Sequence, residues 1–268
     1  MSLFQLAILA IVQGVTEFLP VSSSGHLILL PKLLGSVDQG LALDVAVHVG
    51  TLGAVIMYFR ADVVRIWHGC IDIMRGKLKT DNARLAFLLA IATVPVVVIG
   101  LILKVTGTTE LLRSMKVIGW TMLVFGVVLY WADKKGPTVK TEGDWNLRDA
   151  IIFGLWQAVA LLPGTSRSGI TITASRFLGY DRTDGAKIAM LMSIPTIIAS
   201  GVLLGADVVS EANWQTARDG AIGAVLAFIA AFLALSLMMR LLRSVSYTPY
   251  VIYRVILGVI ILGIAYTA

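Results

Sequence analysis

Six apolar runs of about 20 residues constrain this chain more than any other feature. Each is long enough to cross roughly 30 Å of hydrocarbon as a helix, and charged residues bound most of them. They lie near residues 41–60, 84–104, 116–133, 186–206, 221–240 and 251–266. Hydrophobic residues make up 57% of the sequence and charged residues only 14%, where soluble domains carry about 25% charge. The sequence therefore predicts an all-α, polytopic membrane protein.

Two further segments, residues 3–35 and 147–179, are apolar but interrupted. Pro20 breaks the first and Pro163 breaks the second, and serines and glycines follow each proline closely. Such a pattern favours a helix, a polar loop and a second helix. Irregular backbone at membrane depth is tolerated only where protein or a wet cavity covers it. We therefore expect two re-entrant hairpins.

The two hairpins are related by a constant offset. Gln13 and Gln157 are 144 positions apart, and so are Gly25 and Gly169. Each half is then one hairpin, which returns to its starting side, followed by three spans, so the second half is inverted. We predict a single membrane domain over residues 1–268, with a first repeat at 1–135, a linker at 136–144 and a second repeat at 145–268. Inverted repeats of this kind bring their polar loops together near the midplane.

Basic residues are unevenly divided between the two sets of loops. One set holds Arg60, Arg65, Arg75, Lys77, Lys79, Arg84, Lys134, Lys135, Lys140, Arg148, Arg176, Arg182, Lys187, Arg240, Arg243 and Arg254, and the other holds Lys32, Lys104, Arg113, Lys116 and Arg218. The count of 16 against 5 places the first set in the cytoplasm and both termini outside it. Basic loops beside anionic lipid also explain the net charge of +6 without a nucleic acid partner.

The first polar loop follows a carboxylate inside an apolar segment. Such a group is costly in a membrane, so Glu17 is a candidate functional residue. Gln13 precedes it by four residues and would share its helix face, where the two side chains could grip a divalent metal ion. A hydrogen bond from Gln13 to Glu17 that only stabilises the hairpin is the alternative.

Hydroxyls and one histidine follow Pro20. Ser22, Ser23, Ser24 and Gly25 could contact a substrate through hydroxyls and close backbone approach, and His26 could exchange protons near neutral pH. A serine-rich turn alone is more often a helix cap. The combination of these residues with Glu17 favours a site.

The second loop carries the complementary charge. Arg167 stands among Thr165, Ser166, Ser168 and Gly169 at the expected start of a helix. Guanidinium, hydroxyl and backbone N–H donors together suit a phosphate. The alternative is that Arg167 only neutralises Glu17.

Taken together, the two motifs make the chain resemble the membrane-embedded, bacitracin-resistance family of undecaprenyl-diphosphate phosphatases over nearly its full length. That family carries Glu or Gln four residues before a Glu, then a PVSSxGH-like turn, and later PGxSRSG. Here these are Gln13 to Glu17, Pro20 to His26 and Pro163 to Gly169. The resemblance implies a polyprenyl diphosphate substrate, a monophosphate carrier lipid for peptidoglycan synthesis as product, a bacterial plasma (inner) membrane location, and Mg²⁺ or Ca²⁺ as cofactor.

Diphosphate hydrolysis requires charge neutralisation, a nucleophile and a proton carrier, and these needs suggest a role for each residue. Arg167, Ser166, Ser168 and Thr171 would hold the diphosphate. Ser23 is the expected nucleophile with His26 as its base, although attack by water that His26 activates, or by His26 itself, fits the same sequence. A transporter or flippase of a lipid phosphate or another anion is the rival function, since inverted repeats with broken helices are typical of transporters.

Three other features of the sequence have ordinary structural explanations. His48 lies in the first span, where it could reach the site or only bond a neighbouring helix, and the second interpretation is favoured. Arg254 is expected to be a cytoplasmic helix-end cation. The span glycines suit close helix packing or a homodimer interface.

Overall fold

The computed structural model describes residues 2–34, 39–108, 112–211 and 214–267, and these residues form eleven α-helices and one short 3₁₀ helix. The helices are α1 (Leu3–Phe18), α2 (Ser23–Leu34), α3 (Leu41–Tyr58), α4 (Arg60–Met74), α5 (Asp81–Val105), α6 (Met115–Lys135), α7 (Leu147–Val159), α8 (Arg167–Leu178), α9 (Arg182–Glu211), α10 (Trp214–Leu241) and α11 (Thr248–Thr267), with the 3₁₀ turn at Glu142–Asp144. The all-α prediction is confirmed.

Six helices in the described part of the chain are long and apolar enough to cross a membrane, and they match the six predicted runs. They are α3, α5, α6, residues Arg182–Gly205 of α9, α10 and α11. The chain is therefore a polytopic membrane protein. The largest difference is at the start of α10, which begins at Trp214, before the predicted run at 221–240. The polar residues of this first part bond to one another within the helix, since Asp219 accepts from Arg218 at 3.1 Å and from Gln215 at 3.1 Å.

Both interrupted segments fold as helix–loop–helix hairpins, as expected. The first is α1 and α2, and the second is α7 and α8. Their helices contain 16, 12, 13 and 12 residues, so each is about 18–24 Å long, which is too short to cross about 30 Å of hydrocarbon.

The two halves of the chain interlock through these hairpins. Helix α1 packs against α10, whereas α7 packs against α5, so the first helix of each hairpin contacts a span of the other half. Close approach requires small residues at several crossings. At Gly50 of α3, an added Cβ would lie 2.1 Å from the carbonyl oxygen of Ala224 on α10. The inversion of the second repeat and the homodimer stay predictions.

Helix α4 was not expected from the sequence. It is amphipathic, and its charged residues interrupt any long apolar run in the sequence. It packs along α5. Its Asp62 accepts from Lys187 at 2.9 Å and from Arg65 at 2.9 Å, while Glu142 accepts from the same two cations. Four alternating charges therefore join α4, the 3₁₀ turn and α9.

Two arginines that were counted among the loop cations are buried. Arg176 is 1% exposed and pairs with Asp133 at 3.2 Å, and Arg254 is 0% exposed. Neither residue is an exposed loop cation, because carbonyl and carboxylate acceptors hold these guanidinium groups inside the protein. Without them the division of basic residues is 14 against 5, and its direction is unchanged.

Candidate active site

Glu17 lies in the last turn of α1 and is the centre of a cluster of polar side chains. Its Oε2 accepts from Ser23 Oγ at 2.7 Å and from Gln13 Nε2 at 3.0 Å. Its Oε1 accepts from Arg167 Nη2 at 2.9 Å, 150 residues along the chain. The two hairpin loops therefore meet at one carboxylate, which is only 7% exposed.

The same local structure presents Ser23 and Arg167 to this centre. Ser22 and Ser166 precede them with φ of 75° and 71°, a region that non-glycine residues rarely adopt. The Ser22 hydroxyl accepts from the Gly25 N–H at 3.3 Å, and the Ser166 hydroxyl accepts from the corresponding N–H of α8 at 3.1 Å. Each serine thus caps a helix whose first residue carries the functional side chain.

Two contacts tie the loops together behind the cluster. Ser168 Oγ donates to the carbonyl of Leu19 at 3.0 Å. Arg254 of α11 donates to Thr165 O at 2.8 Å and to Gly164 O at 3.2 Å in the second loop, and approaches Pro20 O in the first at 3.5 Å. The expectation that Arg254 is an ordinary helix-end cation is therefore wrong, because this guanidinium bridges both loops.

A cavity of about 350 Å³ opens in front of the cluster. Five of the predicted site residues line it, namely Glu17, Ser23, Ser24, Ser166 and Arg167. Arg167 also donates to Ala189 O at 3.1 Å, so its guanidinium is held on two sides and its side chain is 13% exposed. An anion entering the cavity would meet the Arg167 guanidinium beside the Glu17 carboxylate, and four serines line the same space, Ser23, Ser24, Ser166 and Ser200.

The other predicted substrate ligands lie in the two loops or near the starts of α2 and α8. They are not among the described residues that line the cavity. They are Ser22, Gly25, Thr165, Ser168, Gly169 and Thr171. Thr171 is fully buried and donates to Arg167 O at 2.8 Å, and Ser168 is also fully buried. Gly169 faces Arg254, since an added Cβ would lie 2.7 Å from its Nη1. Direct contact of Ser168 or Thr171 with a diphosphate is therefore not supported.

His26 is turned away from Ser23. Its Nδ1 lies 2.7 Å from the carbonyl of Ser22, and its Nε2 lies 2.6 Å from the hydroxyl of Tyr253 on α11. The two rings stack with centroids 5.7 Å apart. The expected pairing of Ser23 with His26 is absent here, because the contact with Ser22 O directs the ring towards α11. The hydroxyl of Ser23 donates to Glu17 instead.

His48 reaches the cluster from α3, and the expectation that it only bonds a neighbouring helix is wrong. Its Nε2 lies 3.7 Å from Glu17 Oε2, and it lines the cavity together with Asp44. Its Nδ1 lies 2.7 Å from Asp44 O, which fixes the ring. The sequence did contain a signal for this position, since two polar residues four apart share one face of an otherwise apolar span.

The cavity contains two carboxylates of the type that can bind a divalent cation when a phosphate compound supplies further ligands. Glu17 and Asp44 both line the cavity. Within the described ranges, no group of three or more His, Cys, Asp or Glu side chains could hold a metal ion by itself. Mg²⁺ commonly takes one or two carboxylates and completes its shell with substrate phosphates and water. Gln13 does not fit this role as oriented, because its amide donates to Glu17 and it is fully buried.

Comparison with known proteins agrees with this geometry. The profile of the family described as "Bacitracin resistance protein BacA" matches residues 6–260. The chain belongs to this family. A Jannaschia sp. (strain CCS1) protein named "Undecaprenyl-diphosphatase" is 68% identical over 266 residues, which is 99% of this chain and 100% of the relative. A protein of the same name from Dinoroseobacter shibae is 64% identical over the full length of both, and one from Teredinibacter turnerae is 46% identical over 97% of this chain and 98% of its own.

The matched range contains both hairpin loops and the cavity between them, so the resemblance that rested on two motifs is confirmed at the level of the BacA family.

Proposed function

We propose that this protein hydrolyses undecaprenyl diphosphate to undecaprenyl phosphate and inorganic phosphate, which returns the carrier lipid to peptidoglycan synthesis. The observation that carries the proposal is the contact of Ser23, Glu17 and Arg167 at one membrane-embedded cavity. A nucleophile, a proton acceptor and a phosphate-binding guanidinium are what phosphoryl transfer requires. The printed names of the BacA relatives support the same substrate.

The geometry favours Ser23 as the nucleophile and Glu17 as its base. The hydroxyl proton of Ser23 already points to Glu17 Oε2 at 2.7 Å. As Ser23 Oγ bonds to the terminal phosphorus, its proton passes to Glu17, and the bond from that phosphorus to the bridging oxygen breaks. Polyprenyl monophosphate leaves, and water then hydrolyses the phosphoserine to release inorganic phosphate.

Arg167 binds the terminal phosphate during this sequence. Its planar guanidinium can donate two parallel hydrogen bonds to phosphate oxygens, and Ser166 and Ser24 line the same cavity. A Mg²⁺ or Ca²⁺ ion held by Glu17 and Asp44 would neutralise further charge on the diphosphate. His48 Nε2 lies 3.7 Å from Glu17 Oε2, whereas Arg167 pairs with Oε1, and both residues line the cavity.

The proposed location is the bacterial inner membrane, with both termini outside the cytoplasm. The division of 14 basic residues against 5 supports this orientation. A cysteine introduced at Thr108 should react with an impermeant thiol reagent on intact cells, whereas the native Cys70, an exposed residue of α4, should not. The opposite labelling pattern would reverse the orientation.

Release of inorganic phosphate from undecaprenyl diphosphate by purified protein in detergent tests the function directly, because transport cannot be scored without a sealed bilayer. We expect metal-dependent release that Glu17→Ala lowers by roughly 10³-fold. Tight binding of the lipid without any phosphate release would instead favour the transporter.

A further inference from the structure

The cavity extends well beyond the catalytic groups, along facing sides of two helices. Helix α3 contributes Leu41, Asp44, Val45, His48 and Val49, and α9 contributes Thr196, Ile197, Ser200, Gly201 and Leu204. Steps of three and four residues place each set on one helix face. Leu41 is seven residues from His48, so the cavity runs about 10 Å along α3 from the Glu17 cluster.

The two parts of the cavity wall differ in composition. The hairpin loops contribute the Glu17 carboxylate, the Arg167 guanidinium and serines, whereas the wall formed by α3, α5 and α9 is mainly apolar. On that wall Leu41, Val45, Val49, Val96, Ile197 and Leu204 line the cavity, with Asp44, His48, Thr196 and Ser200 among them. Such a surface favours hydrocarbon over phosphate. We call this apolar part the α3–α9 cleft.

Gly201 leaves room in the middle of the α3–α9 cleft. An added Cβ at this position would meet no heavy atom within 4 Å, although the residue lines the cavity. At Gly50 and Gly164, by contrast, an added Cβ would lie 2.1 Å and 2.2 Å from the nearest heavy atom. Gly201 is therefore not required for helix packing, and the space beside it is open to a ligand.

A larger apolar groove of about 740 Å³ lies elsewhere, between α1, α10 and α11. It contains Val15 and Leu19, and none of its lining residues belongs to the cavity in front of Glu17. Val15 is two residues before Glu17, so the side chains point about 200° apart around α1. Glu17 and this groove therefore lie on opposite faces of α1, and the groove is separate from the cavity that holds the polar cluster.

We propose that the α3–α9 cleft holds the isoprene units of the substrate nearest to its diphosphate, and that Gly201 sets how much hydrocarbon can enter. The proposal rests on the proposed phosphatase function. Continuity of the cleft with the Glu17 cluster in one cavity supports it. A cavity of about 350 Å³ is at the small end of ligand sites, so most of an eleven-unit chain must lie outside it, in the lipid.

The test replaces Gly201 by a residue that fills the cleft. Gly201→Leu and the smaller Gly201→Ala are compared with wild type on isopentenyl, farnesyl and undecaprenyl diphosphate, which carry one, three and eleven isoprene units. Gly263→Leu is the matched control, since Gly263 is also in a span, has the same open surroundings, and does not line this cavity. The control removes any general effect of replacing a helix glycine.

We expect Gly201→Leu to lower kcat/KM roughly 10- to 100-fold for the two longer substrates, to change it little for isopentenyl diphosphate, and Gly201→Ala to fall between. Equal losses on all three substrates, or no loss on farnesyl diphosphate, would place the chain elsewhere and overturn the proposal. If wild-type protein releases phosphate from none of the three, the proposed function itself fails, which is a separate outcome.

Discussion

The two hairpin loops share a backbone but carry different chemistry. In both, a serine with positive φ caps the following helix through the N–H of the third residue after it, and its hydroxyl lies 3.3 Å or 3.1 Å from that of a second serine. Both hairpins also bury a glutamine, Gln13 or Gln157, in the first helix. The loop structure is therefore a scaffold that does not by itself specify a role.

The difference lies in the side chains placed on that scaffold. At the offset of 144, Glu17 corresponds to Leu161 and Ser23 to Arg167. The first hairpin supplies the carboxylate and the hydroxyl, and the second supplies the guanidinium that pairs with that carboxylate. Complementary groups on two similar loops therefore form one asymmetric site where the loops meet.

The largest expected effect tests the assignment of the nucleophile to the first loop. Ser23→Ala should lower kcat by roughly 10⁴-fold, because enzymes that lose a nucleophilic serine lose most of their chemical rate. His26→Ala should cost less, since His26 contacts Ser22 and Tyr253 in place of Ser23. Rapid-quench phosphate release measures both. A His26→Ala loss larger than that of Ser23→Ala would restore the histidine as base or nucleophile.

The second-largest loss of activity is expected when the carboxylate of Glu17, which both loops contact, is removed. Glu17→Ala should reduce metal-dependent turnover by roughly 10³-fold, because the proton acceptor of Ser23 and a proposed metal ligand disappear together. Glu142→Ala is the control, as its carboxylate lies in the α4 ion-pair network, outside the cavity. If Glu17→Ala stays active and metal-dependent, the first loop does not hold the metal.

A smaller loss of activity is expected when Arg167 of the second hairpin is replaced. Arg167→Ala should raise KM and lower kcat/KM by roughly 10²-fold, the usual cost of removing one preorganised donor to a developing negative charge. Arg167→Lys should not restore activity, because an ammonium cannot form the bidentate phosphate contact. Steady-state kinetics on farnesyl diphosphate would separate KM from kcat. Near wild-type turnover of the Lys variant would show that charge alone is sufficient.

The smallest effect concerns the tie between the loops. Arg254→Met should destabilise the protein by about 1–3 kcal/mol for each buried carbonyl that it leaves unbonded, chiefly those of Gly164 and Thr165. Thermal unfolding in detergent should show a lower Tm. Arg240→Met is a control, because Arg240 is exposed near the end of α10. An unchanged Tm in Arg254→Met would mean that the loops hold each other without α11.

Much of the site could be predicted from the sequence because its signals are local. Pro20 and Pro163 break apolar segments, and the residues near them include a carboxylate, hydroxyls and an arginine. The sequence allows Arg167 either to bind phosphate or only to neutralise Glu17, and in the structure the two residues pair with each other and both line the cavity. The partners of individual side chains were less predictable, as His26 shows.

The sequence by itself determined the six spans, the two hairpins and the chemical groups in each loop, since apolar length and helix breaking depend on neighbouring residues alone. Only the tertiary structure shows that His48 approaches Glu17 in a cavity that Asp44 also lines, that His26 faces Tyr253, and that Arg254 bonds both loops. These contacts depend on how each helix is rotated and packed against others far along the chain. A pattern of apolar residues leaves that rotation open when the helix is surrounded by lipid and protein of similar polarity.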